Sequence, residues 1–285
     1  MGMGGYKDLG KWVLKRSIIL AIRQQGWSSF YRKLEGLVPD ISEQYNDLFV
    51  DTPYLKTNVR GMHCFQMDLV DGAVREGESL KDLRVVDIGD SCGNHIAYLK
   101  GLFPLRTIDA LSVNPDHRAC EKIMNRGGQA LCCYAENFQG YSFYDLAFIF
   151  EVLEHISDPI GVLRKLSGMD IDRLIITVPF VRRTRVHLKG WKDKGIEDVH
   201  IFELNPADWK RLFDYCGWQV VKDQIYYQYP RWMPFSWLLK LLWKWKDYEG
   251  FYGVVLKKGV KGLKPDKIVI DELKEKINVC DIRNS

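Results

Sequence analysis

Leu83-Arg-Val-Val-Asp-Ile-Gly-Asp-Ser-Cys-Gly-Asn-His-Ile-Ala-Tyr-Leu99 decides the fold. It opens as a mostly apolar strand ending on Asp87, turns through Gly89, Asp90, Ser91 and Gly93, and leaves as a helix. A strand delivered through a glycine turn into a helix is the opening unit of a doubly wound sheet. In such sheets ligands sit beyond the carboxyl ends of the strands, where the turn allows close approach and the helix start offers free N–H groups.

Downstream, short apolar runs (107–113, 130–134, 146–150, 174–178) alternate with helical stretches (96–103, 118–124, 160–166, 206–215). Strand alternating with helix predicts an α/β protein with a mostly parallel, seven-stranded, Rossmann-like sheet. No clean crossover helix separates the last two runs, 218–225 and 251–256, which predicts an antiparallel pair at one edge. Upstream, residues 7–35 carry apolar positions at helical spacing with Lys11, Lys15, Arg16 and Arg23 between them. The expected organisation is a helical extension over 1–79, the sheet domain over 80–257 and a tail over 258–285. A basic lid (181–200) and an aromatic helical insertion (229–247) belong to the sheet domain.

A net charge of +4 with 46% hydrophobic and 27% charged residues excludes a disordered acidic chain and an extended polybasic tail. The seven cysteines are odd in number and lack C-x-x-C pairs, so the expectation is reduced thiols in a cytoplasmic protein, without a disulfide framework or zinc site. No secretory leader is visible, and apolar runs such as 18–22 are too short to span a bilayer.

Four ordered blocks carry a family resemblance. They are Asp87-Ile-Gly89, the run Tyr144-Asp-Leu-Ala-Phe-Ile-Phe-Glu-Val-Leu-Glu-His155, Val178-Pro-Phe180, and the block from His200-Ile-Phe-Glu to Gly217-Trp-Gln-Val. Over about residues 80–257 the chain resembles the class I S-adenosylmethionine-dependent methyltransferases, the broad group with an E-V-L-E-H motif. The resemblance implies that Asp87, Gly89 and Gly93, with Asp90 and Ser91 between them, hold the methionine end of S-adenosylmethionine. Ala135, Glu136 and Asn137 would border the adenine, and Glu151 the pocket floor. Two positions depart from the pattern. Ser91 stands where the middle glycine of the loop is usual, and Ser112 where an acid usually ends the second strand and binds the ribose, with Asn114 or Asp109 as substitutes.

Glu151, Glu154 and His155 fall within five residues, and His200 lies in the segment that returns to the same rim. Two carboxylates and two imidazoles suit a divalent cation, Mg2+ among them, that lowers the pKa of a hydroxyl. Similar residues serve small-RNA 3′-end 2′-O-methyltransferases, and a related set occurs in ubiquinone-pathway O-methyltransferases. The alternatives are His155 as a metal-free general base, with Glu154 and His200 orienting it, and an E-H pair that only packs.

The lid brings Arg182, Arg183, Arg185 and His187 toward the pocket mouth. Arginines there favour an anionic acceptor, such as an acidic or phosphorylated glycan, a lipid-linked precursor or RNA. In the insertion, Lys240 and Lys244 are four residues apart among tryptophans and leucines, which fits either a membrane interface or packing on the sheet. The expected function is O-methylation of a small-molecule or glycan hydroxyl. The rival readings are an RNA 2′-O-methyltransferase and a methyltransferase-like interaction protein without activity.

Overall fold

A computed structural model describes residues 3–45, 48–76, 82–140, 143–186, 200–246 and 248–259, without the side chains of 3–8 and 246. Three helices come first: α1 (Met3–Gln24), α2 (Ser28–Leu37) and α3 (Pro53–Glu76). The sheet unit follows as β1 (Asp82–Ile88), α4 (Asn94–Leu102), β2 (Thr107–Asn114), α5 (His117–Asn125), β3 (Gln129–Cys132), a 3-10 turn (Ala135–Asn137) and β4 (Tyr144–Phe150). It continues as α6 (Pro159–Gly168), β5 (Ile171–Pro179), β6 (Arg185–Val186), β7 (Phe202–Glu203), α7 (Pro206–Tyr215), β8 (Trp218–Tyr227), α8 (Ser236–Lys246) and β9 (Gly250–Lys258).

The strands form a seven-stranded sheet in the order β3-β2-β1-β4-β5-β9-β8. The first five are parallel, and β9 runs antiparallel to both β5 and β8. The expected architecture, including the antiparallel edge pair, is therefore the observed one. The chain reverses its direction of winding between β1 and β4, and the carboxyl ends of those strands frame the crevice where such sheets bind ligands.

Every residue of β4 is buried, as in a strand covered on both faces. Its alternate side chains serve different cores. Leu146, Phe148 and Phe150 join Val85 and Phe65 on the face covered by α1, α3 and α4, whereas Ala147 and Ile149 join Val86, Trp209 and Phe213 on the face of α6 and α7. The N-terminal helices thus complete the sheet's own core. Helix starts follow their sequence signals. Asp158 and Asn205 cap α6 and α7, each followed by a proline in the first turn, where the missing N–H costs nothing.

One expectation is corrected. Cys120 on α5 and Cys132 at the end of β3 form a disulfide with their Cα atoms 6.1 Å apart, while Cys64, Cys92, Cys133 and Cys216 are free. Packing of α5 against the sheet makes the pair, and a separation of twelve residues gives no sign of it. Residues 187–199 of the expected lid and 260–285 of the expected tail lie outside the described residues.

Candidate active site

The turn after β1 is left-handed at Gly89 (φ +93°) and at Gly93 (φ +81°), conformations that glycine adopts without steric penalty. A Cβ at Gly89 would lie 2.1 Å from Cγ2 of Val152, so the turn after β1 and the turn after β4 are in direct contact. That contact brings the Glu151–His155 turn beside the glycine loop. Ser91 does not need the glycine it replaces, since Glu151 (φ 54°) and Phe235 (φ 61°) are the only described non-glycine residues with positive φ.

Asp90 organises the loop. Its Oδ1 accepts the N–H groups of Gly93 (2.7 Å) and Cys92 (3.2 Å), and its Oδ2 accepts the Ser112 hydroxyl at 2.7 Å. Asn114 Nδ2 donates to the Asp90 carbonyl at 3.1 Å. An acid is therefore present at the tip of β2 after all: it comes from the loop, and Ser112 is the small residue that admits it.

Asp87 is buried and meets Nδ1 of His95, on α4, at 3.0 Å; His95 Nε2 meets Gln66 of α3 at 3.1 Å, and Gln66 donates to Thr177 of β5 at 3.1 Å. Burial, together with the Asp90 charge, pushes Asp87 up to about 6 against the opposing pull of His95. Burial also works against a charged His95, but the two aspartates outweigh it and raise its pKa.

From above, the link between α2 and α3 closes on the loop. Gln44 contacts Ser91 through its side chain at 3.2 Å and accepts from Asn94 at 2.7 Å, while Arg126, at the C-cap of α5, reaches the Cys92 carbonyl at 2.8 Å and Glu43 at 3.0 Å. The 3-10 turn carrying Ala135, Glu136 and Asn137 is fixed by Lys165, which donates to the Glu136 carbonyl at 2.8 Å.

At the tip of β4, the Glu154 carbonyl accepts the N–H groups of Ile201 (2.6 Å) and Phe202 (3.1 Å). This is how β7 returns and delivers His200. Glu154, His155 and His200 each offer a ligand atom within 4.8 Å of the others, and the two imidazoles cross edge to face at 4.6 Å. Glu151 stands outside that trio but acts on it by charge. Both oxygens of the Glu154 carboxyl are buried without a hydrogen bond, and burial, then the charges of Glu151 and Glu203, raise its pKa well above the usual carboxylate range. His200 Nδ1 is taken by Glu203 (3.1 Å) and the Tyr248 hydroxyl (2.6 Å), which leaves Nε2 available. Glu203 also accepts from Arg185 and Tyr248; these bonds overcome burial and hold its pKa down at about 2.

Two of the three described lid arginines are committed internally. Arg182 makes a two-pronged pair with the buried Glu249 at 2.9 Å on each prong, and Arg185 pairs with Glu203. Arg183 is exposed and makes no ion pair among the described residues, whereas His187 lies outside them. Sequence reading missed Gln44, Gln66, Glu203 and Tyr248, which reach the site from distant parts of the chain. It also passed over His95, although that residue stands in the deciding stretch itself.

No protein-family model matches the chain, and no curated protein matches it in sequence. Solved structures share its fold. A chain from the complex between the Haloferax volcanii Trm112 methyltransferase activator and its candidate methyltransferase is 13% identical, with a TM-score of 0.51, over 72% of this chain and 95% of that one. Magnesium protoporphyrin IX methyltransferase from Synechocystis PCC 6803, with bound S-adenosylmethionine, is 12% identical at TM-score 0.51 over 84% and 96%. The [4+2]-cyclase SpnF is 12% identical at TM-score 0.51 over 86% and 98%. At such identities the likeness establishes the fold, and the cyclase among them shows that the reaction has to be read from the site.

Proposed function

From the class I methyltransferase fold that this chain has, and from the histidine pair beside its glycine loop, we infer that it is an S-adenosylmethionine-dependent methyltransferase acting on a hydroxyl of a small-molecule or glycan acceptor. The observation that carries the reading is the convergence of His155, His200 and the buried Glu154 at the tip of β4, in contact through Val152 with the Gly89 turn. A general base is needed only where the acceptor is a hydroxyl, and a histidine beside the crevice supplies one at neutral pH.

The residues fit the cofactor. Gly89 and Gly93 open the turn, α4 presents its first N–H groups, and Asp90 restores an acid beside Ser112. When bound, S-adenosylmethionine supplies a methyl group on a sulfonium that is already a good leaving group, so positioning provides most of the acceleration. His155 would take the proton from the acceptor oxygen that receives the methyl group. His200, fixed by Glu203 and Tyr248, positions His155 through their edge contact. Exposed Arg183 favours an acceptor with a carboxylate or phosphate group.

Calorimetric titration with S-adenosylmethionine and S-adenosylhomocysteine tests the class. Binding that disappears in Gly89→Arg supports it, and no binding by the parent chain would leave a methyltransferase-like interaction protein. His155→Ala should lower turnover far more than cofactor affinity, and undiminished turnover would remove His155 as the base.

A second reading, an RNA 2′-O-methyltransferase with a divalent metal, is favoured by the Glu154, His155 and His200 trio. Glu203 behind His200 Nδ1 is the usual outer partner of a metal-binding imidazole. Two imidazoles and one carboxylate suit a transition ion such as Mn2+ better than Mg2+, which prefers oxygen ligands. Methylation of single-stranded RNA that a chelator abolishes would select this reading over the glycan one.

A further inference from the structure

The insertion between β8 and β9 holds Arg231, Lys240, Lys244 and Lys246, and its two acids, Asp247 and Glu249, both fall after α8. Its helix, α8, has two apolar stripes. Leu239, Leu242 and Trp243 face the molecule, and the fully buried Trp243 donates its indole N–H to Ser17 of α1 at 3.0 Å. On the opposite side Trp237, Leu238, Leu241 and Trp245 are exposed, Trp245 at 85%, and Trp232 and Phe235 extend the patch at 77% and 70%. One stripe is enough to seat a surface helix. A second one, this aromatic, marks a docking face.

The chemistry of the patch selects the partner. Tryptophan rings settle at headgroup depth, lysines bury their stems while their ammonium groups reach phosphates, and a face without acids is drawn to an anionic surface. Neighbouring α1 has the same sign, with Lys7, Lys11, Lys15, Arg16 and Arg23 against Asp8 alone. It is tied to the patch where Gln24 accepts the N–H of Arg231 at 2.5 Å. No helix among the described residues is long and apolar enough to cross a membrane, so α8 would lie on the surface.

We propose that the exposed stripe of α8, with Trp232 and Phe235, docks the protein on the surface of an anionic lipid bilayer. The proposal is independent of the methyl-transfer reading. Co-sedimentation of the full chain with phosphatidylcholine vesicles, with and without phosphatidylglycerol, tests it. The chain should pellet with the anionic vesicles and much less with the neutral ones. Lys240→Ala with Lys244→Ala should lower partitioning about 25-fold, at about fivefold per lysine. Trp237→Ser with Trp245→Ser should abolish it while leaving the circular dichroism spectrum unchanged, because both rings are exposed. A chain that stays in the supernatant with anionic vesicles overturns the proposal, as does a tryptophan variant that pellets like the parent. Dimerisation lost in the tryptophan variant, without vesicle binding, overturns it too by assigning the stripe to a second copy.

Discussion

Gly89→Ala is the sharpest probe of how the two turns of the site meet. The substitution asks alanine to hold φ +93° and sets its Cβ 2.1 Å from Val152 Cγ2 and 3.3 Å from Val152 Cβ. The left-handed backbone costs about 1–2 kcal/mol. Overlap with a side chain whose strand end is fixed by the Glu151 N–H bond to Thr177 at 2.9 Å adds about 1–3 kcal/mol. The expected loss is thus about 2–5 kcal/mol, read as a lower urea midpoint at unchanged m. Val152→Ala removes the clashing methyls but not the dihedral strain. In that background the cost of Gly89→Ala should fall to about 1–2 kcal/mol, a coupling that a double-mutant cycle isolates. A Gly89→Ala loss that is the same with and without Val152 would refute the contact between the turns, and with it the placing of the histidine cluster beside the glycine loop.

Ser112→Asp, the acid expected from the family pattern, should here be harmful, since it sets a second carboxylate against Asp90, whose Oδ2 is 2.7 Å from the present hydroxyl. The loss should be about 3–5 kcal/mol, as for an uncompensated buried charge, and Asp90→Ser in the same chain should recover most of it; tighter S-adenosylhomocysteine binding by Ser112→Asp alone would contradict this account. Mn2+ at about 100 times its Kd should stabilise the parent chain by about 2.7 kcal/mol and leave His200→Ala unmoved, and equal shifts in both would exclude the trio as its ligands. Glu203, depressed to about 2 from 4.5, contributes stability that is complete above pH 4.5 and is lost as the pH falls toward 2. Glu203→Gln should therefore flatten the acid limb of the unfolding free energy, and parallel limbs in the two chains would count against the Arg185, His200 and Tyr248 bonds.

The middle of the sheet was legible because β4, β5 and β9 are buried on both faces for most of their length, so they stand out as short apolar runs. Asp158-Pro159 and Asn205-Pro206 mark the starts of α6 and α7 by local chemistry alone. α3 was not legible as an element. It is buried on nearly every side, so it shows no polar stripe, and its interior includes Arg60, His63 and Gln66, which read as surface residues until their partners are known. The same limit applies at the site. The E-V-L-E-H run announced Glu154 and His155, but the acid lost at Ser112 returns from Asp90, three residues beyond Asp87, through a loop conformation that no spacing rule expresses. Arg182 and Arg185 drew notice as a charge run, and their carboxylate partners Glu249 and Glu203 lie 67 and 18 residues away.

The N-terminal helices and the sheet unit follow one another along the chain, yet the glycine loop belongs to both. Several of its polar groups are satisfied from outside the strand-turn-helix that contains them. Gln44 serves Ser91 and Asn94, Gln66 serves His95 and thereby Asp87, and Glu43 holds the Arg126 that caps the Cys92 carbonyl. Each buried polar group stripped of its partner costs about 1–3 kcal/mol. Removing the first 79 residues would strip several at once, in the very turn that has to keep two left-handed glycines. The shape of the crevice at the β1–β4 switch point is therefore a property of the joined structure. Ligand affinity there should respond to substitutions at Gln44 and Gln66 as strongly as to substitutions within the loop.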